Sequence, residues 1–304
     1  MIKYIININN NININNNNYY YLYMSKDFCV VFVCNKAYFS KFVNTCSQLV
    51  STGKYNGNIC LVIGDDLQND ELLNSDIIKN NNIIIKYFPN ISFSNEFLEI
   101  NNKLNGDGRN KTKYFQWHKL HLFNVFFKQW NYIFYLDCGI NIFSDISYII
   151  NESTENTLLA HSDAYPTYKW KLHTQFDKNI IEYFRKLNNT YNLDIDYFQT
   201  TIMLFDAKII ADDTYDNLLK LAHEYPISLT NEQGIIALYF TNIKPLFKQI
   251  KTHNEFTYFY DYLSRDDNNK YIMLKLLPNN RNTNNRNTNN RNTNTKFNFR
   301  TLIY

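Results

Sequence analysis

The chain has 304 residues, enough for one large domain or two small ones, and its 45% hydrophobic and 17% aromatic content can fill a substantial core. The formal charge of +3 hides a division: residues 279–304 carry Arg281, Arg286, Arg291, Lys296 and Arg300 with no acid, leaving 26 basic against 28 acidic residues elsewhere. A nearly neutral body lacks the basic footprint of a nucleic-acid binder, so nucleic acid is not an expected partner.

Residues 1–24 are an Asn-, Ile- and Tyr-rich leader, expected to be flexible and without the apolar core of a secretory signal. No run reaches about 18 apolar residues, so no membrane span is expected and a cytoplasmic location follows. "FCVVFVCN" (28–35) reads as a buried strand, and "AYFSKFVNTCSQLVSTG" as a helix stopped by Gly53. "NICLVIGDD" (58–66) and "IIIKYF" (83–88) read as two further strands. A helix is expected over about 112–130, on which Phe115, Lys119, Leu122 and Phe126 would share a face. The strands "YIFYLDCG" and "NTLLAHSDAY" (156–165) follow, then the strand-like "TTIMLFDAKII" and a helix near "NEQGIIALYFT". Three copies of a five-residue Arg/Asn repeat (281–295) hold no apolar residue and predict a disordered tail over 279–304.

Apolar strands alternating with helices predict one α/β domain over 25–278, a mostly parallel sheet with helices on both faces. Ligands of such sheets bind beyond the carboxyl ends of the strands, where Cys34-Asn35, Asp65-Asp66, Asp137-Cys138-Gly139 and Ser162-Asp163 all fall. The five cysteines match no metal spacing and read as reduced core thiols. Asparagine makes up roughly one residue in six, so the four Asn-x-Ser/Thr triplets are what chance yields. His118 and His121 lack the Glu and third ligand of a zinc protease and read as packing. With seven glycines and no Gly-rich phosphate loop, enzymes built on such loops are not expected.

Asp137 ends an apolar run, where an unpaired carboxylate is costly. Lys119, on an apolar stripe, either snorkels to solvent or meets an anion. Together they read as an ammonium for phosphates and a carboxylate for a divalent cation, Mn²⁺ or Mg²⁺. Asp65 and Asp66 either hold a ribose or cap a turn, the turn being favoured. Glu232 and Gln233 either serve the site or begin a helix as part of a capping box, with Asn231 a good N-cap.

"YFQWHKLHLFNVFFKQWNYIFYLDCGINIFSDI" resembles the core of GT-A-fold glycosyltransferases, nearest in pattern to glycosyltransferase family 8 and its relatives. In that family a Lys-Leu helix precedes a strand ending in Asp-x-Asp, which binds Mn²⁺ and the nucleotide diphosphate. "FVCNKAYFSKFVNTCSQLV" is similar to the strand-loop-helix that holds base and ribose, which assigns Asn35, Lys36 and Tyr38 to the nucleotide. "DIDYFQTTIMLFDAKII" resembles the segment lining the sugar site, which assigns Gln199, Thr200 and Thr201 to sugar or acceptor. Asp163 opens "HSDAYPTYKWKLHTQFD", either a polar and aromatic loop suited to sugar faces or a plain connection. "TNEQGIIALYF" stands where the family has Asn-Asp-Gln-Asp, which assigns Glu232 and Gln233 to catalysis. The resemblance covers roughly Phe28 to Ile250. It implies a transferase using a nucleotide-diphosphate sugar, UDP-linked, with Lys119, Asp137 and Gly139 at the diphosphate and Asp137 at the metal. Two departures stand out. Gly139 replaces the second acid, and the family's late His-x-x-Gly-x-x-Lys-Pro-Trp segment, which supplies a third metal ligand, has only His253 near its place as a candidate metal ligand. The same fold would also suit a non-catalytic nucleotide- or sugar-binding partner subunit. A sugar-activating nucleotidyltransferase would need a Gly-rich loop where this chain has "CNKAYFSK".

Overall fold

The structure is a computed structural model that describes residues 28–104, 114–162, 164–165, 167–250, 258–261 and 271–274. The leader and the Arg/Asn tail lie outside them. Ten strands are present among the described residues: β1 (Phe28–Cys34), β2 (Asn58–Ile63), β3 (Ile84–Tyr87), β4 (Tyr132–Leu136), β5 (Asn141–Ile142), β6 (Leu158–Ala160), β7 (Ile202–Asp206), β8 (Phe247–Gln249), β9 (Tyr258–Asp261) and β10 (Tyr271–Leu274). Between them lie α1 (Phe39–Ser51), α2 (Asp76–Asn80), α3 (Asn95–Asn101), α4 (Ser147–Ile150), α5 (Ile181–Thr190), α6 (Thr214–Glu224) and α7 (Glu232–Leu238).

Seven strands form the central sheet in the order β3-β2-β1-β4-β7-β6-β8. All neighbours run parallel except β7, which is antiparallel to both β4 and β6. The mostly parallel sheet expected from the sequence is therefore present, with one reversed strand. Short β5 pairs antiparallel with β10, which pairs parallel with β9, in a second sheet.

Alternation along each strand divides the core in two. On β1, Cys29, Val31 and Val33 face one apolar cluster, and Val30, Phe32 and Cys34 face the other. On β4, Ile133 and Tyr135 take the first face, Phe134 and Leu136 the second. The first face is covered by residues 114–123, α6 and α7, and the second by α1 and α4. All five cysteines are buried and unbridged, as expected of core thiols.

One expected element differs. The predicted helix over 112–130 is instead two 3₁₀ segments, Tyr114–Phe123 and Val125–Gln129. Seven consecutive residues, Trp117 to Phe123, are buried, so no single face of an amphipathic α-helix would serve. Three residues per turn bring Gln116 and Lys119 onto one line. That places both polar side chains on the side where α7 begins.

α1 also fastens the loop after β4. Thr45 Oγ1 accepts from Gly139 N (3.0 Å) and donates to the Ile140 carbonyl (2.9 Å), and Gln48 Oε1 accepts from Ile142 N (2.8 Å). Phe134→Ala, which empties a fully buried site in the central strand, is expected to cost about 3–5 kcal/mol in urea unfolding.

Candidate active site

The parallel strands all end at one edge, and reversed β7 brings its start there too. Leu136 pairs with Ile202, so the residues just before β7 stand beside those just after β4. Asp137 N donates to the Thr201 carbonyl (2.9 Å), and Gln199 N donates to the carbonyl of His161, the residue after β6.

Lys119 is the centre of this edge. Its Nζ lies 2.9 Å from Asp137 Oδ1 and 2.9 Å from Glu232 Oε1, with the Thr200 carbonyl and Oγ1 each at 3.4 Å. The side chains of Lys119 and Glu232 are 7% and 2% exposed, so the ammonium does not reach solvent. Burial opposes its charge, but Asp137 and then Glu232 more than offset that and raise its pKa. Burial pushes the Glu232 carboxyl up, against the pull of Lys119. Tyr135, two residues before Asp137 and on the same face of the strand, donates its hydroxyl to Asp137 Oδ1; burial and then the Asp137 charge push its pKa well up.

A second layer holds this cluster. Thr200 Oγ1 donates to Glu232 Oε1 (2.9 Å), and Thr200 N donates to Gln233 Oε1 (3.2 Å). Gln175 Oε1 accepts from Gln233 Nε2 (2.9 Å) and Thr230 Oγ1 (2.7 Å), which sets the orientation of the Gln233 amide. Asn231 is not the side-chain cap expected. Its φ is 54° and its side chain donates to Gln116 Oε1 (2.8 Å) instead of closing a capping box. The capping box is therefore not formed, and Glu232, the first residue of α7, faces Lys119.

Of the expected site residues, Lys119, Asp137, Thr200, Thr201, Glu232 and Gln233 come together, with Gln199 next to them in the chain. Gly139 lies two residues beyond Asp137 with φ +92°. Asn35 and Tyr38 lie in the loop after β1, where Asn35 Oδ1 accepts from Tyr38 N (3.2 Å). The Lys36 ammonium is engaged by Asp70 (2.7 Å). Asp65 accepts from the Tyr87 hydroxyl and Asn90 N, and Asp66 from Lys36 N, so these acids tie the loop after β2 to distant segments and do not cap a turn of their own. Asp163 and His253 lie outside the described residues. Sequence reasoning missed Gln175, Gln116 and Tyr135. Only Tyr135 carried a signal, being two residues from Asp137 on a strand.

No protein-family model matches the sequence. No curated protein matches it. Solved structures do match. The galactosyltransferase LgtC, in complex with donor and acceptor sugar analogues, superposes at 13% identity with a TM-score of 0.51, covering 76% of this chain and 75% of that one. Mouse xyloside xylosyltransferase 1 is also similar (12% identity, TM-score 0.45, 82% and 97% covered). So is core-mannan synthase A from Aspergillus fumigatus in an Mn/GDP form (10% identity, TM-score 0.48, 76% of each). The fold is that of the GT-A glycosyltransferases.

The GT-A resemblance implies a divalent cation, and the described residues do not fit one. Asp137 has an oxygen committed to Lys119 and Tyr135, and the place of a second acid is Gly139. Among the described residues no group of three or more His, Cys, Asp or Glu side chains is arranged to hold a metal. An ammonium stands between the two carboxylates of the site. No described helix is long and apolar enough to cross a membrane.

His118 and His121 pack as expected. His118 Nε2 lies 3.3 Å from the Ile63 carbonyl, and His121 is stacked between Phe88 (4.4 Å) and Tyr215 (4.7 Å). Burial, and then the neighbouring His118, pushes the His121 pKa from 6.5 down to about 3, against the Pro89 carbonyl. A neutral folded imidazole gains a proton on unfolding below pH 6.5, so stability falls as pH drops from there toward 4. His121→Phe keeps the stack and is expected to flatten that slope by about 1 kcal/mol per pH unit in urea titrations. Lys119→Met strands two carboxylates and is expected to cost about 3–5 kcal/mol, partly recovered by adding Glu232→Gln.

Proposed function

We propose that this protein is a glycosyltransferase that moves a sugar from a nucleoside diphosphate donor, UDP-linked, to an acceptor hydroxyl. The observation that carries the reading is the Lys119 cluster at the sheet edge, together with two buried acceptors, Glu232 Oε2 and Gln199 Oε1. Neither acceptor has a hydrogen-bond partner among the described residues. A buried acceptor left without a donor is costly, and sugar hydroxyl groups are donors of the right kind. The GT-A fold supports the same class of ligand.

As the bond from the sugar carbon to the diphosphate breaks, negative charge grows on the departing diphosphate and positive charge on the sugar. Fixed charges in a water-poor site stabilise both. Lys119 faces the first, and Glu232, with the oriented amide of Gln233, the second. Gln199, Thr200 and Thr201 orient the sugar or acceptor, while Asn35 and Tyr38 meet base and ribose. Asp137 holds Lys119 in place and charged. No step is routed through a divalent cation, because the described donor set offers Asp137 alone. Residues 25–278 form the catalytic domain in this reading. A non-catalytic sugar- or nucleotide-binding protein is the second reading, favoured by Gly139 at the place of the second acid.

The test is release of nucleoside diphosphate from UDP- and GDP-sugars with and without simple glycoside acceptors. Turnover with at least one donor is expected. Glu232→Gln should lower kcat by about 100-fold or more with a small change in donor affinity. Donor binding without turnover would transfer the protein to the second reading, and no binding would remove both.

A further inference from the structure

A nucleoside diphosphate brings at least two negative charges, and the site described so far does not neutralise them. Lys119 is already shared by Asp137 and Glu232, so those three groups sum to one negative charge with both acids ionised, and to none if Glu232 is protonated. Another cation is required beside Gly139. A side chain already stands there. A Cβ placed on Gly139 would meet Lys41 Cδ at 3.4 Å, so the Lys41 stem runs past the position from which a second acid would project. Its ammonium lies 4.4 Å from the centre of the Tyr38 ring.

Lys41 is held there by the helix that also fixes the loop. Lys41, Thr45 and Gln48 occupy successive turns of one face of α1, and Thr45 and Gln48 bond the backbone of residues 139–142. The lysine stem therefore passes Gly139, at the diphosphate end, and its ammonium rests on Tyr38, at the nucleoside end. Among the described residues Lys41 makes no ion pair, whereas Lys36 is committed to Asp70. Contact with an aromatic face holds an ammonium while leaving its N–H donors available.

We propose that Lys41 supplies the counter-charge for the diphosphate, so that a nucleoside diphosphate binds without a divalent cation. The proposal rests on the nucleotide-sugar reading and adds a residue and a charge mechanism to it. Replacing Asp-x-Asp by Asp-x-Gly then has a complement in the same site. The chain loses one carboxylate and offers one ammonium, and Gly139, lacking a side chain, leaves room for the phosphates and the lysine stem. A charge-assisted hydrogen bond to phosphate is of the size that changes affinity by about tenfold or more.

Calorimetric titration of UDP and GDP, and of uridine and guanosine as controls, separates the possibilities. Each would be run in EDTA and in Mn²⁺ with the wild type, Lys41→Met, Lys41→Arg and, as a surface control, Lys128→Met, whose lysine lies before the start of β4 and pairs with Asp212. The expected result is wild-type binding of one diphosphate in EDTA, changed less than about threefold by Mn²⁺. Lys41→Met should weaken it about tenfold and leave the matching nucleoside unaffected, with Lys41→Arg and Lys128→Met near wild type. Lys41 is exposed on the first turns of α1, so an unchanged melting temperature of the free variant is expected. Diphosphate binding that needs Mn²⁺, or that survives Lys41→Met unchanged, overturns the proposal and leaves the nucleotide-sugar reading standing. Failure of the wild type to bind any nucleotide in either condition overturns that reading and the proposal with it.

Discussion

The buried ammonium of Lys119 is the group on which the rest of the site depends. A lysine this far from solvent keeps its charge only if anions compensate the lost hydration, and Asp137 and Glu232 do so from two distant parts of the chain. Each carboxylate in turn is tolerable inside the protein because the lysine is there. The three side chains thus bind the end of β4, the 3₁₀ segment and the start of α7 into one unit. Thr200 completes it from the start of β7.

That mutual dependence explains features of the fold that otherwise look arbitrary. β7 must run against its neighbours, or Thr200 and Thr201 would stand at the far edge of the sheet. Asn231 must adopt a positive φ, held by Gln116 and by its carbonyl accepting from Ser228, for Glu232 to face inward from the first turn of α7. Gln175 then accepts from the Gln233 amide and orients it. The polar groups form a connected network in which most members have partners. Glu232 Oε2 and Gln199 Oε1, which have no hydrogen-bond partner among the described residues, are atoms that the proposed ligand would satisfy.

The same logic bears on how a GT-A site operates with a reduced acid motif. Removing a carboxylate beside a diphosphate lowers the repulsion as well as removing a potential metal ligand. In the proposed arrangement a lysine on the adjacent helix face offsets the net negative charge of the cluster without a bound ion. Asp137 then becomes a group that fixes a lysine. Asp137 and Gly139 are compatible within a single arrangement of charges.

The sequence by itself determined the sheet and its active edge. Short, continuous apolar runs rich in β-branched and aromatic residues, "FCVVFVC" and "YIFYL", fit strands buried on both faces, and the polar residues that follow fall at their ends. That Asp137 and Lys119 each need an opposite charge was legible for the same reason. That they meet each other, where a cation and phosphates were expected, was not. Whether residues 114–123 wind as α or 3₁₀ depends on being enclosed on every side, and burial all round leaves no periodicity to read. The choice of Glu232 as the second anion, the Gln175 brace and the approach of Lys41 to Gly139 depend on strand order and strand direction. Those are set by contacts between residues far apart in the chain, and local patterning carries no record of them.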